Sequence, residues 1–236
     1  MEVVESPTRS RRLYQYYGRA PMWRALHHKL EAQGVKLRAS DNAVVKRLTV
    51  GETWLQQMPD SLHRSYCLQY ELLKGTPSAD DESIERDVMR TVRGETDGSG
   101  FLLDRSPGQK MALALALRRV LNGAAVLDHM GYVQGQNYVV DVLLKAGVCE
   151  EDAFCLFVYA LRHQFLYGLY RTEVPILTDY LAVFERQLAA RAPDLAAHLE
   201  REGFTSSIYA IEWFTTLFAL SAPPLVTLAA MDLFFG

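Results

Sequence analysis

The chain has 236 residues, enough for one sizeable helical domain or for one domain with a short N-terminal extension. Hydrophobic residues make up 49% and charged residues 22%, a balance that argues against disorder, and a net charge of −3 gives no general pull toward nucleic acid. The three cysteines, Cys67, Cys149 and Cys155, are odd in number and form no CxxC pair, which fits free thiols in a reducing compartment.

The opening MEVVESPTRSRR lacks an apolar core, so no secretory signal is expected. Residues 1–70 carry 11 Lys+Arg against 6 Asp+Glu. Such a basic segment could meet an acidic lipid surface or an acidic partner; because the charges are interleaved, an ordinary solvated face is the plainer reading. The first 57 residues read as a helical extension punctuated by Gly18, Gly34 and Gly51. Met58-Pro59-Asp60 then marks a helix start, with Pro59 near the first turn. A turn-rich loop, KGTPSADDES, runs from Lys74 to Ser83, with Ser83 as the expected N-cap of the next helix. A second loop spans Arg93–Gly108.

Apolar residues recur at helical spacing in Met111–Val120, Asp152–Leu166, Pro175–Leu188 and Ile208–Leu220. Breaks are expected at Gly147, Gly168, Pro193 and Gly203. No strand-like alternation of any length is present, so the fold is expected to be all-α. Cys149 and Cys155 flank an apolar helix and read as core residues, since a zinc site needs more ligands at tighter spacing. The stretch Trp213–Met231 has no charge, but Pro223-Pro224 near its middle breaks a membrane-spanning helix. Two short buried helices joined at the prolines are expected instead. The chain ends on the apolar Phe234-Phe235-Gly236, which suggests a domain that continues further.

Two polar motifs carry candidate chemistry. In Ile84-Glu85-Arg86-Asp87-Val88-Met89-Arg90-Thr91, a helix puts Asp87 and Arg90 on one face and Ile84 and Val88 on an adjacent apolar face. Asp87 can hold the guanidinium of Arg90 while the apolar pair anchors the helix; an ordinary surface ion pair would look the same. In Gly131-Tyr132-Val133-Gln134-Gly135-Gln136-Asn137, two glycines bracket Tyr-x-Gln ahead of a helical run, Tyr138–Leu144. The glycines permit tight bending or close approach of a partner. Gln134 and Asn137 would lie one turn apart at the helix start, where free amides can bind an oxygen or a water, or simply cap the helix.

These motifs resemble the TBC domain of Rab GTPase-activating proteins, which carries IxxDxxR followed at a distance by YxQ in a GYxQGMN-like context. Fainter likenesses are Pro59-xx-Leu62, Glu151-Asp152-Ala153-Phe154, Glu212-Trp213-Phe214 with Phe218, and Asp232 with Leu233-Phe234-Phe235-Gly236. The resemblance covers about residues 58–236, an all-α multi-helix domain left incomplete at its C-terminal end. It departs from the family in several places. Cys67 or Tyr66 stands for a tryptophan, His63 or Arg64 for an arginine, Val92-Arg93 for Phe-Pro, Gln136 for methionine, and Asn122-Gly123-Ala124-Ala125 for a helix segment with tyrosine.

The resemblance implies a GTPase activator. Arg90 would be the arginine finger and Gln134 the glutamine finger, supplied in trans to a GTP-bound Rab-family GTPase. Asp87, Tyr132 and Asn137 would support them. GTP and Mg would be bound by the partner, with no cofactor or metal of the chain's own, and the setting would be cytoplasmic with peripheral recruitment to membranes. The alternative is a TBC-fold binding module or scaffold with weak or no activity, which the departures motivate. A self-contained hydrolase is remote. His27-His28, Asp128-His129 and Asp80-Asp81-Glu82 lack metal-ligand spacing, and no nucleophile sits beside a base motif.

Overall fold

The helical spacing becomes eleven helices in a computed structural model, which describes residues 52–93, 106–127, 131–164, 166–171 and 176–235. In chain order they are α1 Glu52–Leu55, α2 Asp60–Leu73, α3 Asp81–Arg93, α4 Pro107–Val126, α5 Gln136–Lys145, α6 Glu150–His163, α7 Leu166–Tyr170, α8 Ile176–Arg191, α9 Pro193–Arg201, α10 Ser206–Thr216 and α11 Pro224–Phe235. No strand occurs among the described residues. The helical extension expected over residues 1–57 lies outside them, apart from 52–57, which contain α1.

The core forms where α4 and α6 cross, with α2, α3 and α5 packed around them. Helix α6 is buried on nearly every side: Ala153, Phe154, Cys155, Leu156, Phe157 and Val158 are all fully enclosed. Leu117, Val120 and Leu121 of α4 meet it from the opposite side of the core. Close crossing depends on Gly123, where an added Cβ would lie 3.2 Å from Phe154 Cε2 and 3.7 Å from Leu73 Cβ. The departure from the family at Asn122-Gly123 is thus absorbed as packing. The buried Asn122 donates to Asp81 Oδ1 at 2.7 Å and accepts from the Ser78 amide at 2.8 Å.

In a second group, α9 packs on α8, and α8 meets α10 through aromatic edges. Phe184 sits 6.0 Å from both Tyr209 and Trp213 and 6.1 Å from Phe214, each at a steep angle. At the far end of the chain, Trp54 of α1 stacks on Phe235 of α11 and donates through Nε1 to Asp232 at 2.7 Å.

Several boundaries differ from the sequence expectation. Helix α3 begins at Asp81, two residues before the expected Ser83 cap, because the Ser83 and Ile84 amides already donate to the Asp80 carbonyl. The Asp81 carboxylate is also held there by Arg118. Pro107 and Gly108 belong to α4 rather than to the loop before it. Ser106 accepts from the Gln109 amide, and the Gln109 side chain accepts from the Ser106 amide, a capping box with proline at the first turn. Arg93, the expected start of that loop, is the last residue of α3, and residues 94–105 lie outside the described residues. The single run Asp152–Leu166 divides into α6 and α7. Gly168 does not break a helix: it lies inside α7 and lets Ile176 approach to 3.2 Å of where its Cβ would be.

The uncharged stretch 213–231 does become two helix segments, α10 ending at Thr216 and α11 beginning at Pro224. The stop is made by Leu217 and Phe218, both at positive φ (50° and 65°). Their cost is offset by the Leu217 and Phe218 amides closing onto the Trp213 carbonyl. These helices are only half-buried, not enclosed as expected. Lack of charge does not force burial on every side, and Ile208, Val226 and Leu233 face outward. No helix among the described residues is long and apolar enough to cross a membrane.

Gly123→Ala tests the central crossing. A glycine-to-alanine change inside a helix normally stabilises by about 1 kcal/mol. Here the new methyl must press on the fully buried Phe154 ring, and overpacking of this kind costs about 1–3 kcal/mol. Urea unfolding is expected to show a net loss of about 1 kcal/mol; a gain would mean that the two helices separate freely at this point.

Candidate functional site

Helix α3 is amphipathic. Ile84 and Val88 are buried against α4 and α5, and this fixes which face the polar motif presents. Asp87 and Thr91 lie at the edge of the buried face, and Arg90 lies on the exposed one, its side chain 58% accessible. The Arg90 Nη1 approaches Asp87 Oδ1 at only 3.4 Å, a loose contact that leaves the guanidinium reorientable.

The second motif begins after α4. Gly131 takes φ 70° and Gly135 φ 114°, conformations that residues with a Cβ rarely adopt. Between them the chain makes an open turn, held by the Tyr132 amide donating to Asp80 Oδ2 at 2.8 Å. Gly135 is the N-cap of α5 and rests on α10, where its Cβ would be 3.5 Å from the Thr215 carbonyl.

The two motifs are joined by one hydrogen-bond network. The Tyr132 hydroxyl donates to Asp87 Oδ2 at 2.9 Å and lies 3.1 Å from Asn137 Oδ1. Asn137 Oδ1 also accepts from the Gly135 amide at 3.0 Å, while its Nδ2 donates to Thr91 Oγ1 at 2.9 Å. Thr91 Oγ1 in turn donates to the Asp87 carbonyl at 2.8 Å. Burial and then the facing Asp87 carboxylate push the Tyr132 hydroxyl well above its ordinary range, so it stays protonated and remains a donor.

The sequence-derived residues therefore divide. Asp87, Tyr132 and Asn137 are tied into the network. Asn137 is 1% exposed and engaged at both ends, the capping alternative rather than the free amide, because its carbonyl accepts from the Gly135 amide at the α5 entrance and its amine reaches Thr91. Asp87 is directed chiefly at Tyr132 rather than at Arg90. Gln134 sits in the turn one residue before the N-cap, exposed, beside the exposed Val133. Sequence reasoning missed Asp80, which anchors the turn, and Thr91, which closes the network. Their signal was only the presence of short polar side chains next to a motif. Asp128-His129 and His27-His28 lie outside the described residues. Among the described residues, the groups of His, Cys, Asp and Glu with metal-ligand spacing lie between α2 and α6, on neither of these motifs.

The Rab-GTPase-TBC domain model matches residues 19–236. The chain is 33% identical over 175 residues to the GTPase activating protein Gyp51 of Schizosaccharomyces pombe, covering 72% of this chain and 17% of that protein. It is 34% identical over 158 residues to the Rab GTPase-activating protein eat-17 of Caenorhabditis elegans, covering 65% of this chain and 16% of that protein. The chain thus matches less than a fifth of the length of either relative. In fold it is similar to the Chlamydomonas flagellar RabGAP TBC domain, with TM-score 0.55 and 19% identity over 100% of this chain and 79% of that one.

Asn137→Ala leaves a buried amide and a buried hydroxyl without their partner, and a loss of about 2–4 kcal/mol is expected in chemical unfolding. Tyr132→Phe strips the donor from Asp87, for about 1–3 kcal/mol. The double variant should lose less than the sum, because both changes break one network. Additive effects would show that the two motifs are held independently.

Proposed function

The chain belongs to the Rab-GTPase-TBC domain family, and from that membership we propose that it accelerates GTP hydrolysis on a GTP-bound Rab-family GTPase, with Arg90 as arginine finger and Gln134 as glutamine finger. The observation that carries this reading is the contrast within the two motifs. Asp87, Thr91, Tyr132 and Asn137 are locked into one network, while Arg90 and Gln134 stand exposed on the elements that the network joins. A site built to act on a bound partner needs a rigid base and free reactive ends.

The chemistry follows from the charge that builds on the transferring phosphoryl group. The partner holds GTP and Mg. The Arg90 guanidinium offers in-plane donors and a permanent charge to the developing negative charge, and the Gln134 amide orients the attacking water. The network sets the turn that carries Gln134 against the helix that carries Arg90, so their relative placement is prepaid in folding rather than at the moment of reaction. The chain acts on the partner's site and is not a hydrolase by itself. The setting is cytoplasmic, with recruitment to membranes through partners.

Single-turnover GTP hydrolysis across a Rab panel tests this. Arg90→Ala should lower the stimulated rate by about 10³–10⁵, or about 4–7 kcal/mol, and leave the melting temperature nearly unchanged because the Asp87 contact is loose and exposed. Arg90→Lys should stay badly impaired, since it loses the planar fork. Equal stimulation by all three proteins would remove Arg90 from the mechanism. A wild-type protein that binds Rabs but stimulates none would make it a binding module.

Gln134→Ala should slow stimulated hydrolysis while affinity for a Rab loaded with a non-hydrolysable GTP analogue stays nearly intact, because the water contact matters chiefly in the transition state. Parallel loss of rate and affinity would make Gln134 a docking residue instead.

A further inference from the structure

Away from the two motifs, α2 and α6 bring potential metal ligands together at their interface. His63 and Cys67 are four residues apart on α2, and Asp152 and Cys155 three apart on α6, so each pair shares a helix face. His63 Nε2 lies 2.8 Å from Asp152 Oδ1 and 3.6 Å from Cys67 Sγ, and Cys67 Sγ lies 3.7 Å from Cys155 Sγ. Two triads, His63 with Cys67 and Cys155, and Cys67 with Glu151 and Asp152, each hold their ligand atoms within 4.8 Å of one another, and Cys67 is the residue they share.

We infer that His63, Cys67 and Cys155 hold a zinc ion that fastens α2 to the start of α6, with the Asp152 carboxylate moving in to complete the tetrahedron. A zinc ion with ordinary bond lengths separates two thiolate sulfurs by about 3.8 Å, a sulfur and an imidazole nitrogen by about 3.6 Å, and an imidazole nitrogen and a carboxylate oxygen by about 3.3 Å. The first two separations are already present. The third is a hydrogen bond, which opens by about 0.5 Å when the ion takes the place of the shared proton. Two sulfurs and an imidazole select zinc over magnesium or calcium, which prefer oxygen ligands. Both sulfurs are buried, and His63 reaches the surface with 24% of its side chain accessible, which opens the route by which the ion arrives. Binding replaces two S–H bonds with two Zn–S bonds and sends both protons to solvent. His63 enters as neutral imidazole through Nε2, and Asp152 enters ionised. Glu151 stands beside Cys67 as the alternative carboxylate.

The test uses the full chain, purified under reducing conditions, stripped with a chelator and titrated with Zn²⁺ or Co²⁺. We expect one equivalent of zinc per chain and a melting temperature that rises with zinc. Cobalt should give a sulfur-to-metal charge-transfer band with the intense visible bands of a tetrahedral ion. Cys67→Ser, Cys155→Ser and His63→Gln should each weaken binding by more than the ~10–100-fold typical of losing an outer-sphere partner, and Cys149→Ser should retain it. Helicity measured alongside identifies any variant that fails to fold, and the wild-type cobalt spectrum stands apart from all of them. The inference is overturned if the wild type shows no thiolate–cobalt band, if the band survives unchanged in the folded His63→Gln or Cys67→Ser protein, or if the two thiols oxidise to a disulfide with no metal retained.

Discussion

The bond from the Tyr132 hydroxyl to the Asp87 carboxylate is the contact on which the candidate site depends. It crosses from a turn to a helix, 45 residues apart in sequence, and it is largely withdrawn from water. A carboxylate so placed needs a donor, and a hydroxyl so placed needs an acceptor, so neither can leave without cost. Asn137 and Thr91 complete the connection by satisfying the backbone at both ends, the Gly135 amide on one side and the Asp87 carbonyl on the other. The network thereby holds α3, the 131–137 turn and the start of α5 as one unit.

That unit is seated on the core from beneath. Ile84 and Val88 bury the inner face of α3, and Asp81 clamps its first turn to Arg118 and Asn122 of α4. The turn is held from the other side, where Gly135 lies against the end of α10. Termination of α10 at Thr216 therefore matters beyond its own helix. A longer α10 would carry its next residues through the place where the chain now bends away at Leu217 and Phe218. The packing of α4 on α6 through Gly123 sets the frame for all of this, since α4 supplies the surface on which α3 lies. The inferred zinc site would add a second tie between α2 and α6 on the same frame, independent of the network.

Much of the architecture was legible in the sequence because helical periodicity reports burial directly. The run 111–120 falls inside α4, 176–188 inside α8 and 208–216 inside α10, while the last four residues of the third run turn away from Leu217 onward and the proline pair marks where α11 begins. The two motifs were legible as well, since Ile84, Asp87, Val88 and Arg90 sort onto faces by spacing alone. What spacing misjudged were ends and partners. Ser83 looked like a cap because it precedes a helical run, yet α3 starts at Asp81, where a partner 37 residues away holds the carboxylate. Gly168 looked like a break, yet it is a point of close approach for Ile176.

The sequence by itself determined an all-α chain and the two polar motifs with their order and internal register, because those are properties of residues a few positions apart. The tertiary structure alone decided that Asn137 is spent in the core while Gln134 stays exposed, although both are amides three residues apart. It also decided that Asp87 serves Tyr132 before Arg90, and that Cys155 meets Cys67 and His63 from 88 residues or more away in sequence. The physical reason is the same in each case. A buried polar group takes its role from whichever partner the packing of distant helices brings within about 3 Å, and no local spacing encodes that partner.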